Sequence, residues 1–157
     1  MKRTCSPVFM MKRMGGKSNP GGNRTECPGS SLGFILRKDL RAGGSITFFA
    51  GIWSQRPAPK ASAAAAINSA IEGLGRALAL ELAPIRLNTI SPGMVAPPLY
   101  GVMAPEKREA MFKEAAASIP ARRVATAEEI ALGVLYLMSS EYSTGTALFV
   151  DGGNTLR

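Results

Sequence analysis

The stretch that decides the fold is Glu72–Gly93, with the sequence EGLGRALALELAPIRLNTISPG. Apolar residues recur every three or four positions through its first part and upstream of it, which predicts one buried helix face. These positions are Ile67, Ile71, Leu74, Leu78 and Leu82. Pro84 ends the helix, because proline cannot continue the hydrogen-bond ladder. Ile85–Ile90 then has the composition of a strand, closed by the turn Ser91-Pro92-Gly93. We therefore predict a long helix over residues 62–83 and a strand directly after it.

The flanking sequence extends this pattern on both sides. Ser45–Ala50 is a short apolar run typical of a buried strand. Downstream, Pro105–Ser118 has the pattern of a helix with proline in its first turn. A further helix begins at Thr126, which forms a capping box with Glu129. Its predicted buried face comprises Ile130, Val134, Leu137 and Met138. Thr146–Val150 is a third apolar run. The alternation of strands and helices predicts an α/β fold with about three parallel strands.

The net charge of +8 is unevenly distributed along the 157 residues. Residues 1–44 hold nine basic and two acidic residues, a net charge of +7, which leaves +1 for residues 45–157. A basic arm would suit nucleic acid or anionic lipid, whereas a solvated tail needs no partner. Because the larger part of the chain is nearly neutral, we expect the solvated tail and no nucleic-acid partner.

Two regions follow from composition. Residues 1–39 are rich in Gly, Pro and Ser and show no lasting period, so we predict a disordered basic head there, followed by one α/β domain over residues 40–157. Gly16-Lys17-Ser18 lacks the strand and helix of a phosphate-binding loop, and Asn23-Arg24-Thr25 is a glycosylation sequon that matters only in a secreted protein. Cys5 and Cys27 are interpreted as reduced thiols of a cytoplasmic protein.

Several classes of function are excluded by what the sequence lacks. It contains no histidine, which excludes a Ser-His-Asp triad, a Cys-His dyad and a His-ligated zinc. We predict no metal site. No apolar run reaches the roughly 18 residues of a membrane-spanning helix, so no membrane partner is expected.

Three pieces of the sequence together resemble the carboxy-terminal half of a short-chain dehydrogenase/reductase. They are Glu72–Asn88, the turn Ser91-Pro92-Gly93, and the final Thr144-Gly145-Thr146 with Val150-Asp151-Gly152-Gly153, within a match from about Leu40 to Gly153. The resemblance implies a partial Rossmann-like unit, NAD or NADP as cofactor, and hydride transfer on a carbonyl or alcohol. It also implies a homo-oligomer formed through the 62–83 helix and the last strand.

The resemblance further implies that the nucleotide-binding half of the family is not encoded in this sequence. No strand leads into a glycine-rich, pyrophosphate-binding turn, so we expect a truncated gene, a shifted frame or a misplaced start. The catalytic positions implied by the family's serine, tyrosine and lysine carry Gly51, Ala64 and Asn68. Glycine and alanine cannot exchange a proton, and asparagine can only hydrogen-bond a ribose hydroxyl.

Other residues near these positions have two interpretations each. Lys60 and Ser62 are either recruited substitutes or a solvated lysine and a helix N-cap. Met111 and Phe112 either line a substrate lid or are core or interface residues. A cofactor-binding role is implied for Pro92, Gly93 and Val95, although Pro97 replaces the family's threonine and Pro92-Gly93 is equally explained as a plain turn.

Two functions remain open from the sequence. One is an NAD(P)-linked oxidoreductase, impaired because the nucleotide-binding half and the catalytic serine, tyrosine and lysine are missing. The other is a pseudoenzyme, a non-enzymatic remnant or oligomerisation module, in which Ser45–Ala50 would expose a strand edge.

Overall fold

A computed structural model gives the architecture of the chain and describes residues 11–12, 40–41, 43–96 and 103–157. Most of the predicted head therefore lies outside the described residues. The same holds for the Gly16-Lys17-Ser18 segment, the sequon at Asn23, both cysteines and Pro97.

The described strands form one sheet in the order β1-β2-β3-β4. They are β1 (Met11–Lys12), β2 (Ser45–Phe49), β3 (Arg86–Pro92) and β4 (Ala147–Val150). The pairs β2–β3 and β3–β4 are parallel, which confirms the three predicted parallel strands. β3 runs two residues beyond its predicted end because its pairing with β4 continues through Pro92 and Val150.

β1 was not predicted. Met11 and Lys12 pair antiparallel with Thr47 and Ile46 of β2. The structure thus places backbone against two residues of the edge that the sequence led us to expect would be open.

Within the described residues, three α-helices accompany the sheet: α1 (Ser62–Glu81), α2 (Pro105–Ser118) and α3 (Ala127–Ser139). The register aligns Ile46 with Leu87 and Phe49 with Ile90, so alternate residues of β2 and β3 point to opposite faces. One face packs Ile46, Phe48 and Leu87 with Leu78 and Leu82 at the end of α1. The other face packs Ile90 with Ile130, Val134 and Leu137 of α3. The result is an α/β/α arrangement with a core on each side of the sheet.

The predicted buried face of α1 is partly wrong. Ile67 and Leu74 are 47% and 38% exposed, whereas the buried residues of the helix are Glu72, Gly75, Leu78 and Ala79. The reason is Gly75: a Cβ built there would lie 2.6 Å from Thr89 Oγ1. The close approach at Gly75 leaves Ile67 and Leu74 exposed, while Ile71 of the predicted face is partly buried against the core.

The ends of the helices show one confirmed prediction and one wrong one. At α3, the hydroxyl of Thr126 accepts from the Glu129 N–H, and the Glu129 carboxylate accepts from the Thr126 N–H, which confirms the capping box. At α1, the N-cap is Ala61 and Ser62 is already helical, so the interpretation of Ser62 as the cap is wrong. Ile130, Val134 and Leu137 are buried as predicted, while Met138 is only half-buried.

None of the helices in the described part of the chain combines the length and the apolar character that crossing a membrane would require.

Candidate functional site

The candidate site lies at the carboxyl ends of β2 and β3. Because these strands are parallel, the segments that follow them, beginning at Ala50 and Gly93, emerge at the same edge of the sheet. Open α/β sheets bind ligands at this edge, where backbone groups are no longer used by the ladder.

Two of the three predicted catalytic positions meet here. Gly51 is extended, with φ −176° and ψ 164°, and a Cβ built on it would lie 2.9 Å from Nδ2 of Asn68. The amide of Asn68 therefore occupies the space into which a side chain at position 51 would project. Ala64 lies one helical turn before Asn68 on α1 and is half-buried. The side-chain amide of Asn68 forms no hydrogen bond with another described residue, which leaves its donor and acceptor available to a ligand.

Sequence reasoning missed the most connected polar group of the site, the carboxylate of Glu72. The residue is 3% exposed. Its Oε1 accepts from Ser54 Oγ at 2.5 Å and from Ser91 Oγ at 2.8 Å, and its Oε2 accepts from Gln55 Nε2 at 3.3 Å. The carboxylate thus joins α1 to the turn after β2 and to the end of β3. The apolar spacing of the helix gave no signal for it, because the predicted buried face did not include position 72.

The predicted cofactor-binding turn has a structural requirement of its own. Pro92 is the last residue of β3, and the Gly93 N–H donates to the Val150 carbonyl at 3.0 Å. A Cβ at Gly93 would lie 2.8 Å from Asp151 Cα, so only glycine allows the two backbones to approach this closely. Packing alone therefore accounts for Gly93.

Val95 is different, because its backbone is free at the site. Met94 accepts from the Ala125 N–H at 3.0 Å and the Ala96 N–H donates to Ala125 at 2.7 Å. This parallel bridge turns the N–H and C=O of Val95 away from Ala125, and neither bonds to another described residue. A donor and an acceptor side by side on an extended backbone match the hydrogen-bonding groups of a primary carboxamide.

The carboxy-terminal segment is tied to the same region. Arg56, just after the turn that follows β2, donates from Nη1 to the Asn154 carbonyl at 2.8 Å. Partial burial alone would raise the pKa of Asp151, but the N–H groups of Thr155 and Gly153 bond its carboxylate at 2.8 and 2.9 Å and lower the pKa overall. The segment is thus anchored through its own backbone and through Arg56.

The proposed substitutes for the catalytic groups lie at the amino-terminal end of α1. Lys60 is exposed with a positive φ of 67°, and Ser62 is exposed in the first turn. Met111 and Phe112 are half-buried on α2. Phe112 lines an open hollow of about 560 Å³ together with Arg108 and Val124, beside α2.

Comparisons with known proteins bear on this geometry. A family model described as enoyl-(acyl carrier protein) reductase matches residues 35–155. The short-chain dehydrogenase/reductase ucsE of an Acremonium species is 35% identical over 115 residues, which are 73% of this chain and 44% of ucsE. The chain spans less than half the length of the curated relatives it matches first.

Solved structures show the same relationship. A small-chain dehydrogenase in complex with NADPH is 39% identical, with a TM-score of 0.75 over 78% of this chain and 56% of that one. An NADPH-bound short chain oxidoreductase from Pseudomonas aeruginosa PAO1, containing an atypical catalytic center, is 29% identical. Its TM-score is 0.62, covering 72% of this chain and 46% of that one. The family model matches most of the chain and the fold agrees with that of the solved relatives, so the chain belongs to the short-chain dehydrogenase/reductase family.

Proposed function

We propose that this chain forms the nicotinamide-side wall of an NAD(P)-linked oxidoreductase site whose usual proton-transfer groups are absent. The observation that carries the proposal is the contact between Gly51 and Asn68 at the carboxyl edge of the sheet. These are two of the three positions that the family resemblance assigns to catalysis. Their adjacency supports the proposal that the geometry of the site is retained while its chemistry has changed.

The residues of the edge suit the nicotinamide half of the cofactor. The N–H and C=O of Val95 would bind the carboxamide, and the Asn68 amide would bind a ribose hydroxyl. Gly93 allows the backbone after β3 to lie close to Asp151, since a Cβ there would be 2.8 Å from Asp151 Cα. When bound, the cofactor supplies or accepts hydride. Two of the solved relatives described above contain NADPH, which supports this class of ligand.

Proton transfer is the step for which this chain offers least. Position 64 carries a methyl group and position 51 a hydrogen atom, so neither can donate to a carbonyl oxygen. Asn68 donates a neutral hydrogen bond but supplies no positive charge. We therefore expect the chain to bind the cofactor without efficient turnover. The expected substrate is an alcohol or a carbonyl compound, the general class that the family uses.

The test is a titration of the full chain with NADH and NADPH, followed by cofactor fluorescence and melting temperature. Binding raises the melting temperature by mass action. The triple variant Gly51→Ser, Ala64→Tyr, Asn68→Lys restores serine, tyrosine and lysine at the three catalytic positions. With a simple ketone or aldehyde as substrate, it is expected to oxidise NADPH at least about tenfold faster than the unsubstituted chain. Absence of any binding at millimolar cofactor rejects the proposal.

A second candidate function, an oligomerisation module, is favoured by exposed apolar side chains. On α1, Ile67, Leu74 and Leu80 are 47%, 38% and 84% exposed. α1 belongs to the 62–83 segment from which the family resemblance implied a homo-oligomer, and β4 has no partner beyond β3 within the described sheet. Light scattering at high micromolar concentration tests this function. A monomer would reject it, and a dimer that Ile67→Glu dissociates would support it.

A further inference from the structure

We propose that Glu72 is a positioning residue of the strand-edge site and that its buried charge favours the oxidised, cationic nicotinamide cofactor over the reduced one. The inference rests on the proposed function, because it needs a nicotinamide ring near the edge. It concerns a residue that the usual serine, tyrosine and lysine positions do not include.

The buried carboxylate of Glu72 is surrounded by neutral hydrogen-bond donors. Buried carboxylates normally pair with a cation or a metal ion. Glu72 is 3% exposed, yet within the described ranges it forms no ion pair with a lysine or arginine. Its donors are two serine hydroxyls and one glutamine amide, which stabilise the carboxylate without cancelling its charge. The negative charge of Glu72 is therefore not neutralised by these neighbours and acts on groups bound nearby.

The hydrogen bonds of Glu72 connect it to the segments that surround the candidate site. Ser54 Oγ lies 2.5 Å from Glu72 Oε1 and 3.1 Å from the carbonyl oxygen of Gly51. Ser91, bonded at 2.8 Å, directly precedes the Pro92-Gly93 turn. Glu72 itself follows Asn68 by four residues on α1, so the two share a helix face. One carboxylate thus holds the turn after β2, the end of β3 and the helix in register.

The charge of Glu72 acts differently on the two redox forms of the cofactor. The nicotinamide ring is positively charged in NAD(P)⁺ and neutral in NAD(P)H, so an uncompensated carboxylate nearby stabilises only the oxidised form. At an effective dielectric constant of about 20, a unit charge would change the binding constant of a cationic ring by about tenfold if the two lay roughly 11 Å apart, the length of two helical turns. Solvent at the open edge screens part of this effect, so we expect a factor of at least about threefold.

The chain offers two independent ways to remove the charge. Glu72→Gln keeps the size of the side chain and an oxygen for both serines. Gln55→Lys leaves Glu72 intact and brings an ammonium group to the carboxylate from an exposed position, so it preserves the buried network. Gln55→Met is the matched neutral control, and Glu141→Gln removes an exposed carboxylate after α3.

The measurement is the dissociation constant of the full-length chain for the oxidised and the reduced form of the same cofactor, by calorimetry. The ratio of the two constants is the readout, because a purely structural change weakens both forms alike. Glu72→Gln and Gln55→Lys should each shift the ratio toward the reduced form by at least about threefold. Ser54→Ala and Ser91→Ala keep the charge, so they should weaken both forms and leave the ratio unchanged.

The outcomes separate the two proposals. A ratio that stays constant in Gln55→Lys overturns the inference about Glu72, even where Glu72→Gln fails to fold, and leaves the proposed function standing. An equal shift in Gln55→Met would also overturn it, because that variant adds no charge. Failure of the unsubstituted chain to bind either form overturns the proposed function and this inference with it.

Discussion

The interior of the sheet and its carboxyl edge differ in how closely their residues pack. In the interior, helices approach the strands so closely that glycines are required: a Cβ at Gly75 would meet Thr89 at 2.6 Å, and one at Gly133 would meet Ile90 at 2.9 Å. Asn88 hydrogen-bonds to Ser143 and Thr146 there, while the buried hydroxyls of Ser45 and Thr47 on β2 have no partner among the described residues. At the edge, the side-chain amide of Asn68 and the backbone N–H and C=O of Val95 likewise form no hydrogen bond with another described residue. The regions therefore differ in packing: the interior is close enough to require glycines, whereas the edge leaves donors and acceptors beside the strand ends, where open α/β sheets bind ligands.

The largest expected effect breaks the interior. Gly75→Ala places a methyl group against Thr89 Oγ1 and 3.4 Å from Leu87 Cδ2, both on β3. Because β3 is the central parallel strand and cannot retreat, we expect a loss of about 2–3 kcal/mol in the free energy of unfolding, measured in urea. Gly73→Ala is the control on the same helix, where only Arg76 Nη2 comes within 4.0 Å, and it should be neutral or stabilising. Equal losses in both variants would contradict the close approach at Gly75.

A slightly smaller effect should follow from Arg86→Met. The buried guanidinium donates to the Leu137 and Met138 carbonyls at 2.9 and 3.0 Å, and so satisfies the last turn of α3 from β3. Its loss removes both of these hydrogen bonds and a positive charge from the negative end of the helix dipole, and we expect about 2 kcal/mol less stability in urea unfolding. Arg76→Met, on the exposed side of α1, should change stability by less than about 0.5 kcal/mol. A result near zero for Arg86→Met would mean that α3 is held by its apolar face alone.

The edge should respond through coupling rather than through large losses. Gly51→Ala pushes its methyl group to 2.9 Å from Asn68 Nδ2, and an amide at the end of a flexible side chain can move away. We expect a cost of about 1 kcal/mol that disappears in the double variant with Asn68→Ala, giving a coupling of at least about 0.5 kcal/mol. Urea unfolding of the four proteins of this cycle measures it. Additive effects would show that the two positions do not touch.

The smallest effect concerns the exposed capping box of α3. Arg123 bonds both carboxylate oxygens of Glu129, and this contact together with the Thr126 N–H lowers the pKa of Glu129 to about 2. Because the pKa is lower in the folded than in the unfolded chain, the stabilisation is complete above about pH 4.5 and is lost as the pH falls toward 2. Melting temperatures between pH 6 and 2.5 should fall slightly less steeply in Glu129→Gln. Parallel curves for the two proteins would sink the prediction.

Short-range patterns predicted much of this fold because their causes are local. Pro84, the Thr126–Glu129 box and the apolar runs each act within a few residues, and all three parallel strands follow from them. The same patterns misplaced the buried side of α1. Hydrophobic spacing counts Ile67 and Leu74 as core, whereas the missing side chain of Gly75 decides which side approaches the sheet.

For the candidate site, too, some features follow from local sequence and others only from the tertiary structure. By itself, the sequence determined that Gly51, Ala64 and Asn68 stand where the family resemblance places proton chemistry, since residue identity alone settles what a side chain can donate. The tertiary structure alone decided that Glu72 lies buried between Ser54 and Ser91, which are 18 and 19 residues away. No local pattern marks such a carboxylate, because its burial and its hydrogen bonds exist only once distant segments have met.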